Sequence, residues 1–189
     1  MKNLATTCTG ILITIVLCAQ YKQNKQNEQF TVDVTKVTFI EPGIGHEFAL
    51  GRNTSVLARV GLTATLASNS YSEEYAGFLT RGLFSGSARA YYNAAKRADM
   101  GKNIAHNSAN YIAILMMVAT EPLNKWSNYD PNLNSSMLNA GVVWGLQRNY
   151  PFGLSLDLNI GLGYVKVGYE SGITAIGEFT IGWWFGKKH

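Results

Sequence analysis

The stretch LSLDLNIGLGYVKVGYESGITAIGEFTIGWWF, residues Leu154 to Phe185, decides the fold of this chain. In its first half an apolar residue occupies every second position from Leu154 to Tyr164, and the positions between hold polar residues and glycines. Because successive side chains of a strand point to opposite faces, this segment has one apolar and one polar face. Strands of about ten residues with such alternation and terminal aromatics are typical of a barrel in a lipid bilayer. We therefore interpret this stretch as a hairpin of two membrane-crossing strands.

Strand candidates separated by turn signals fill the rest of the chain from Phe30 onward. They are Phe30–Val37, Thr38–Leu50, Ser55–Ala67, Tyr75–Tyr92, Ser108–Thr120 and Ser136–Gln147. Ser108–Thr120 is apolar without alternation and could also be a helix, but its neighbours favour a strand. Phe30–Val37 is shorter than the roughly 9–11 residues that a spanning strand needs. With the closing hairpin the sequence predicts an all-β fold, an antiparallel up-and-down transmembrane β-barrel of eight strands.

The N-terminus resembles a secretory signal. Residues 1–19 carry one charge, Lys2, followed by the apolar run Ile11–Leu17, and we expect cleavage after Ala19. Residues 20–29 then form a polar leader, and residues 30–189 form the barrel. A buried first strand and a lipidated Cys18 are the alternatives for this segment. Cys8 and Cys18 both precede the cleavage point, so the mature chain would contain no disulfide and no thiolate metal site.

Polar and charged residues occupy the inward positions of the predicted strands. They are Glu41, Glu47, Arg59, Arg89, Asn139, Gln147, Asp157 and Glu178. An eight-stranded barrel has room only for its own side chains, and charges away from water must be paired. We therefore predict an interior salt-bridge lattice in which Asp157 and Glu178 face Arg59 and Arg89. A narrow polar conduit is the alternative, since inward glycines would leave room for water.

Aromatic residues near the strand ends predict a girdle at the level of the lipid headgroups. They are Tyr91, Tyr92, Tyr111, Tyr150, Phe152, Trp183 and Phe185. Trp126 and Tyr129 lie in the longest irregular stretch and are candidates for contact with a glycan or partner. Lys96, Arg97 and Lys102 form a basic cluster, which is either a solvated turn or a contact for anionic headgroups or a periplasmic partner.

Turn lengths predict the orientation of the barrel. Short turns of outer-membrane barrels lie in the periplasm and long loops lie outside. The turn at residues 51–53, the basic connection at 93–107 and the turn at 148–153 alternate with loops at 69–74 and 121–134 and the turn near Tyr169. If the first set is periplasmic, the last strand ends in the periplasm.

Catalytic and metal sites find little support in the sequence. His46 and Glu47 are adjacent on a strand and point to opposite faces, so they form no simple catalytic pair. His106 and Ser108 could act together in a lipid hydrolase, although no acid is fixed nearby in sequence. No spacing indicates a metal, a cofactor or a phosphate loop.

Several segments resemble uncharacterised small outer-membrane β-barrel proteins of Bacteroidetes-type bacteria. They are FIEPGIGHE (39–47), RAYYN (89–93) with KR (96–97), GKN (101–103) and NSANY (107–111), GLQR (145–148) and GWWF (182–185). The resemblance implies the fold and an outer-membrane location, and it implies no catalytic role for any residue. The residues Gly186 to His189 after Phe185 depart from barrel-assembly signals, which end on an aromatic residue.

These observations predict a non-enzymatic outer-membrane barrel with a structural or surface-interaction role. A narrow pore and a lipid A or phospholipid hydrolase are the alternatives, and a soluble β-sandwich adhesin is disfavoured by the apolar face of the closing hairpin. We expect a monomer that contacts outer-membrane lipid, the barrel-assembly machinery and a surface ligand of unknown kind. The net charge of +4 over 189 residues argues against nucleic acid as a partner.

Overall fold

A computed structural model of the protein describes residues 29–68, 76–124 and 134–186, with the side chains of 65–68 and 76–78 excepted. The predicted signal peptide, most of the polar leader, Trp126 and Tyr129 lie outside the described residues. Within the described ranges, no helix has the length and apolar character needed to cross a membrane.

Eight antiparallel strands form a closed barrel in which each strand pairs with its neighbours in sequence and β1 pairs with β8. The strands are β1 Val34–Ile40, β2 Gly43–Ala49, β3 Thr54–Ser68, β4 Ala76–Ala90, β5 Asn110–Pro122, β6 Met137–Asn149, β7 Leu154–Val167 and β8 Glu170–Phe185. The predicted all-β, up-and-down architecture with eight strands is confirmed. Ring closure leaves no unpaired strand edge, which is how a sheet can stand alone without aggregating.

The first two strands begin and end elsewhere than predicted. Thr38–Leu50 is not one strand, because the chain turns back at Glu41 and Pro42 between β1 and β2. Glu41 adopts a left-handed conformation with φ of 49°, and the Thr38 hydroxyl donates to its carbonyl at 2.7 Å. Pro42 has no N–H to give to a sheet ladder, so a proline at this point ends a strand. The prediction treated Pro42 as one more apolar position and so placed this boundary wrongly.

The strand predicted at 108–120 is present as β5, Asn110–Pro122, in spite of its helix-like run of apolar residues. In β5 the side chains of Tyr111 and Leu115 are buried in the barrel, whereas those of Ile112 and Ile114 are exposed on its outer wall. Both faces are apolar here because this part of the barrel has an apolar interior. The alternation of burial is therefore present in space although it is absent from the sequence.

The two ends of the barrel differ. At the end where β1 begins and β8 finishes, called the terminal end, lie the β2–β3 and β6–β7 turns and the β4–β5 connection. At the opposite end, called the loop end, lie the β1–β2 and β7–β8 turns, the last residues of β3 and β5 and the first residues of β4 and β6.

The β4–β5 connection is folded rather than extended. It contains the short helix α1 (Ala94–Asp99) and a 3-10 helix (Ala105–Asn107), neither of which the sequence predicted. Its residues Ala94 and Ala109 are buried in one apolar cluster with Tyr111. Asn107 also hydrogen-bonds both backbone groups of Val32, at 2.7 and 2.9 Å. This connection therefore packs against the barrel and the segment before β1 at the terminal end.

Candidate functional site: the polar interior

Two clusters of charged side chains lie inside the barrel, because the inward positions of the strands carry them there. The strands alternate between exposed and buried residues along their length. Buried inward residues include Lys36, Glu47, Arg59, Arg89, Gln147, Asp157 and Glu178. Removal of such groups from water is costly unless each charge has an opposite charge or hydrogen bonds nearby.

The first cluster joins two basic and two acidic side chains. Arg89 Nη1 lies 2.6 Å from Asp157 Oδ2, and Lys36 Nζ lies 3.1 Å from Glu47 Oε2 and 3.7 Å from Asp157 Oδ2. These four charges come from β4, β7, β1 and β2. Opposite charges are equal in number, so the cluster is neutral without any bound ion.

Gln147 holds the first cluster together from its centre. Its side-chain oxygen accepts from Lys36 Nζ at 2.6 Å and from Arg89 Nη1 at 2.7 Å. Its side-chain nitrogen donates to Glu47 Oε2 at 3.1 Å and to the His106 carbonyl at 3.3 Å. A single amide thus links both basic groups, one carboxylate and the β4–β5 connection.

Hydroxyl groups complete the hydrogen bonding of the two carboxylates. Glu47 Oε1 accepts from Ser55 Oγ at 2.6 Å and from the Tyr91 hydroxyl at 2.5 Å. The Tyr111 hydroxyl donates to Asp157 Oδ1 at 2.6 Å. Burial and the charge of Glu47 raise the pKa of Tyr91 well above its usual range, so Tyr91 keeps the proton that it donates. Each carboxylate therefore has both ionic and hydroxyl partners.

The second cluster is centred on Arg59 and lies nearer the loop end. Arg59 Nη1 is 3.2 Å from Glu178 Oε1, and Nη2 donates to Glu41 at its carboxylate, 3.0 Å, and its carbonyl, 2.9 Å. Asn159 Oδ1 accepts from the Glu178 backbone N–H at 3.1 Å. Glu41 was predicted as an inward strand residue, but it reaches Arg59 from the β1–β2 turn.

Asn139 belongs to neither cluster. It lies on the inward positions of β6, as predicted, but its sheet neighbours are Met117 and Val165, whose side chains pack against the apolar core. Among the described residues its side-chain oxygen has no hydrogen-bond partner. The interior is apolar at this height, so the predicted polar network does not extend to Asn139.

Little free space remains between the two clusters. A cavity of about 20 Å³ is lined by residues of both, among them Arg59, Arg89, Asp157 and Glu178. That volume accommodates about one water molecule. Beyond the clusters toward the loop end, Leu115, Val143 and Ile176 fill the barrel with apolar side chains. Between the clusters and in this apolar layer, the interior is therefore packed with side chains.

The sequence interpretation missed Lys36, although a signal for it was present. The predicted interior held four acidic residues and only two basic ones, an imbalance that a dry barrel cannot sustain. Further inward cations were therefore required. Lys36 and the fully buried Arg81 of β4 supply them. The predicted boundaries of the first strand concealed the position of Lys36.

Two tyrosines predicted for the aromatic girdle lie inside the barrel instead. Tyr91 and Tyr111 are 1% and 0% exposed, and their rings pack edge to face at 5.6 Å between centroids. Arg89 also lies over the Tyr111 ring, 4.4 Å from its centroid. Their hydroxyls hydrogen-bond to the buried carboxylates of Glu47 and Asp157, and these bonds stabilise the inward placement of both rings. The other predicted girdle residues, Tyr92, Tyr150, Phe152, Trp183 and Phe185, are exposed.

His106 and Ser108 have other contacts than those of a catalytic pair. Ser108 Oγ donates to the Asn149 carbonyl at 3.1 Å and accepts from the Asn149 N–H at 2.7 Å. The His106 ring stacks on Trp184 with 3.6 Å between centroids. The serine proton is thus directed at a carbonyl and not at a base. Among the described residues no group of three or more His, Cys, Asp or Glu is placed to hold a metal ion.

Comparison of the chain with protein-family models, curated proteins and solved structures found no match. The class that the fold defines is an eight-stranded antiparallel β-barrel with a polar, ion-paired interior.

Proposed function

We propose that this chain is an integral outer-membrane β-barrel protein with a packed interior and a structural or surface-contact role. The observation that carries the proposal is the apolar outer wall. Exposed apolar side chains surround the barrel: Ile44, Phe48, Val60, Leu62, Phe84, Ile112, Ile114, Met116, Val142, Leu158, Ile160, Leu162 and Phe179. A monomeric soluble protein rarely exposes a contiguous apolar patch larger than a few hundred Å². Lipid tails are the environment that suits such a wall.

The charged interior supports the same proposal. A protein in water places its charges outside and its apolar residues inside, whereas this barrel pairs its charges within and exposes isoleucine, leucine and phenylalanine. Transmembrane barrels have this reversed distribution because their outer face contacts hydrocarbon. Each of the four carboxylates in the two clusters is paired with a basic group inside the barrel.

Strand lengths fit a bilayer on most of the circumference. Strand β7 has 14 residues and β8 has 16. At about 3.3 Å per residue and a tilt of about 40°, such strands rise by more than the roughly 25 Å apolar band of an outer-membrane barrel. Strands β1 and β2 have 7 residues each, so the wall is lower there. We expect local thinning of the bilayer beside them.

Location and partners follow from this proposal. Residues 1–19 would direct export, and the barrel-assembly machinery would insert the chain with its terminal end in the periplasm. The closed ring offers no strand edge for pairing, which supports a monomer. Lipid is the main partner, and a surface ligand would contact the loop end.

Membrane fractionation tests the proposal directly. We expect the full-length protein in the outer-membrane fraction, resistant to alkaline carbonate, with faster gel migration before heating than after it. Recovery in the soluble periplasm without heat-modifiable migration would overturn the proposal. Planar-bilayer recording addresses the pore alternative, and the packed interior leads us to expect no conductance above background.

A further inference from the structure

A cluster of cations and aromatic rings lies on the outside of the barrel at the terminal end. Arg148 is on an outward position of β6, and Arg97 is in the last turn of α1. Tyr92, Trp144 and Tyr150 are exposed beside them. We call these five residues the rim cluster. None of them contributes to the interior ion pairs described above.

Hydrogen bonds fix the two arginines of the rim cluster and link the segments that carry them. Arg97 Nη2 donates to the Asn103 carbonyl at 2.9 Å, and Asn103 Nδ2 donates to the Asn149 carbonyl at 2.8 Å, next to Arg148. Arg148 Nη2 donates to Asn110 Oδ1 at 2.7 Å.

No carboxylate neutralises these arginines within the described part of the chain. Neither arginine takes part in the ion pairs between described residues, whose basic members are Lys36, Arg59 and Arg89. Lys96 and Lys102 are exposed on the same connection and add positive charge. Two guanidinium groups on linked segments, neither of them ion-paired, leave net positive charge at this rim, so a bound anion is favoured there. Guanidinium groups bind phosphate oxygens particularly well because two N–H groups can donate in parallel.

Aromatic groups place this charge at the level of a membrane surface. Trp144 Nε1 donates to the Tyr92 hydroxyl at 2.7 Å, and Tyr150 stacks on Phe152 with 5.5 Å between centroids. Tryptophan and tyrosine prefer the zone between lipid tails and water. Trp144 and Arg148 share one face of β6, so the ring lies toward the tails and the cation toward the headgroups.

We propose that the rim cluster binds the phosphate of an anionic phospholipid headgroup, with Arg97 and Arg148 as its donors. This inference rests on the proposed membrane location. The lipid tails would lie along the apolar wall below Trp144. The site would fix the depth and rotation of the barrel relative to the inner leaflet.

Quenching of Trp144 fluorescence by brominated lipid tests the inference. The full-length barrel is inserted into phosphatidylcholine vesicles that contain brominated phosphatidylglycerol or, in parallel, brominated phosphatidylcholine. A Trp144→Phe variant supplies the background from the other tryptophans. We expect at least fivefold tighter association of phosphatidylglycerol, equivalent to about 1 kcal/mol. The double variant Arg97→Gln, Arg148→Gln should bring the ratio of the two lipids to within twofold of one.

Matched variants distinguish lipid binding at the rim cluster from a general effect of positive charge. Arg52→Gln removes one cation from the same end of the barrel, where Arg52 lies over the Phe30 ring, and should keep the preference. The double variant Arg97→Lys, Arg148→Lys retains both charges and should keep most of the preference for phosphatidylglycerol. Equal loss in Arg52→Gln would show a diffuse charge effect and overturn the site.

The remaining outcomes distinguish failure of the rim site from failure of the proposed function. Inserted, heat-modifiable protein without lipid preference overturns the rim site alone, whereas failure to insert overturns the proposed function as well. If neither lipid is preferred while inorganic phosphate, and not chloride at equal ionic strength, changes the Trp144 fluorescence, the cluster binds free phosphate and the lipid assignment is wrong.

Discussion

Arg89 and Asp157 form an ion pair of 2.6 Å across the inside of the barrel, although 68 residues separate them in the chain. Arg89 is on β4 and Asp157 is on β7, and these strands are not neighbours in the sheet. The pair therefore links two separate parts of the wall through the interior. Both residues are buried, so neither charge has water as an alternative partner.

Replacement of Asp157 by asparagine should destabilise the barrel strongly. The change leaves Arg89 buried without its closest acidic partner, and removal of one member of a buried pair costs about 3–5 kcal/mol. Urea unfolding of the inserted barrel, followed by tryptophan fluorescence, measures this free energy.

The double variant Arg89→Met, Asp157→Leu is the control for that prediction. Because it removes both charges, we expect it to be more stable than Asp157→Asn. A double variant as unstable as the sum of the two single changes would show that the polar groups are needed for more than mutual neutralisation.

Tyr91→Phe and Tyr92→Phe should differ although the two residues are adjacent. The Tyr91 hydroxyl donates to the buried Glu47 at 2.5 Å, and hydrogen bonds to charged groups contribute about 1.5–3 kcal/mol. Tyr92 is exposed and only accepts from Trp144, so its loss should cost less than about 1 kcal/mol. Equal free energies of unfolding for both variants would contradict the inward placement of Tyr91.

Gly145→Ala should disturb the interior through Tyr111. A Cβ at Gly145 would meet the Tyr111 ring at 2.3 to 2.6 Å, and this ring carries the hydroxyl that holds Asp157. Overpacking of this kind costs about 1–3 kcal/mol. In Gly86→Ala the new Cβ has only the Leu57 carbonyl nearby, at 3.8 Å, so we expect a change below about 0.5 kcal/mol. Chemical denaturation of the two variants side by side makes the comparison.

The alternation of apolar and polar residues predicted most of the fold, because a barrel wall with one apolar and one polar face requires that alternation in each strand. It failed where that contrast is lost. In β5 both faces are apolar, so the sequence does not reveal that Tyr111 points inward. Its place near a strand end instead predicted that it belongs to the aromatic girdle. At Pro42 the alternation continued through a turn, and only the missing N–H marked the boundary.

The sequence predicts that the inward charges pair with one another, but it does not predict which charges form each pair. That Asp157 and Glu178 face Arg59 and Arg89 follows from inward positions and the need to pair buried charges. Register decides which groups meet, and the sequence does not give the register of strands that are far apart in the chain. For the same reason the role of Gln147, which contacts residues of three other strands and His106, had no local signal.

Arginine on the outer wall should be costly at mid-height and tolerated near the loop end. Ile160, at the middle of β7, and Ile173, near the start of β8, are both exposed, at 60% and 81%. In a bilayer an outward arginine costs about 2–4 kcal/mol at the midplane and about 0–1 kcal/mol near the interface. We therefore expect Ile160→Arg to lower the free energy of unfolding in vesicles by at least about 2 kcal/mol more than Ile173→Arg. In water both exposed positions would accept arginine at little cost, so equal and small effects would contradict a membrane-embedded wall.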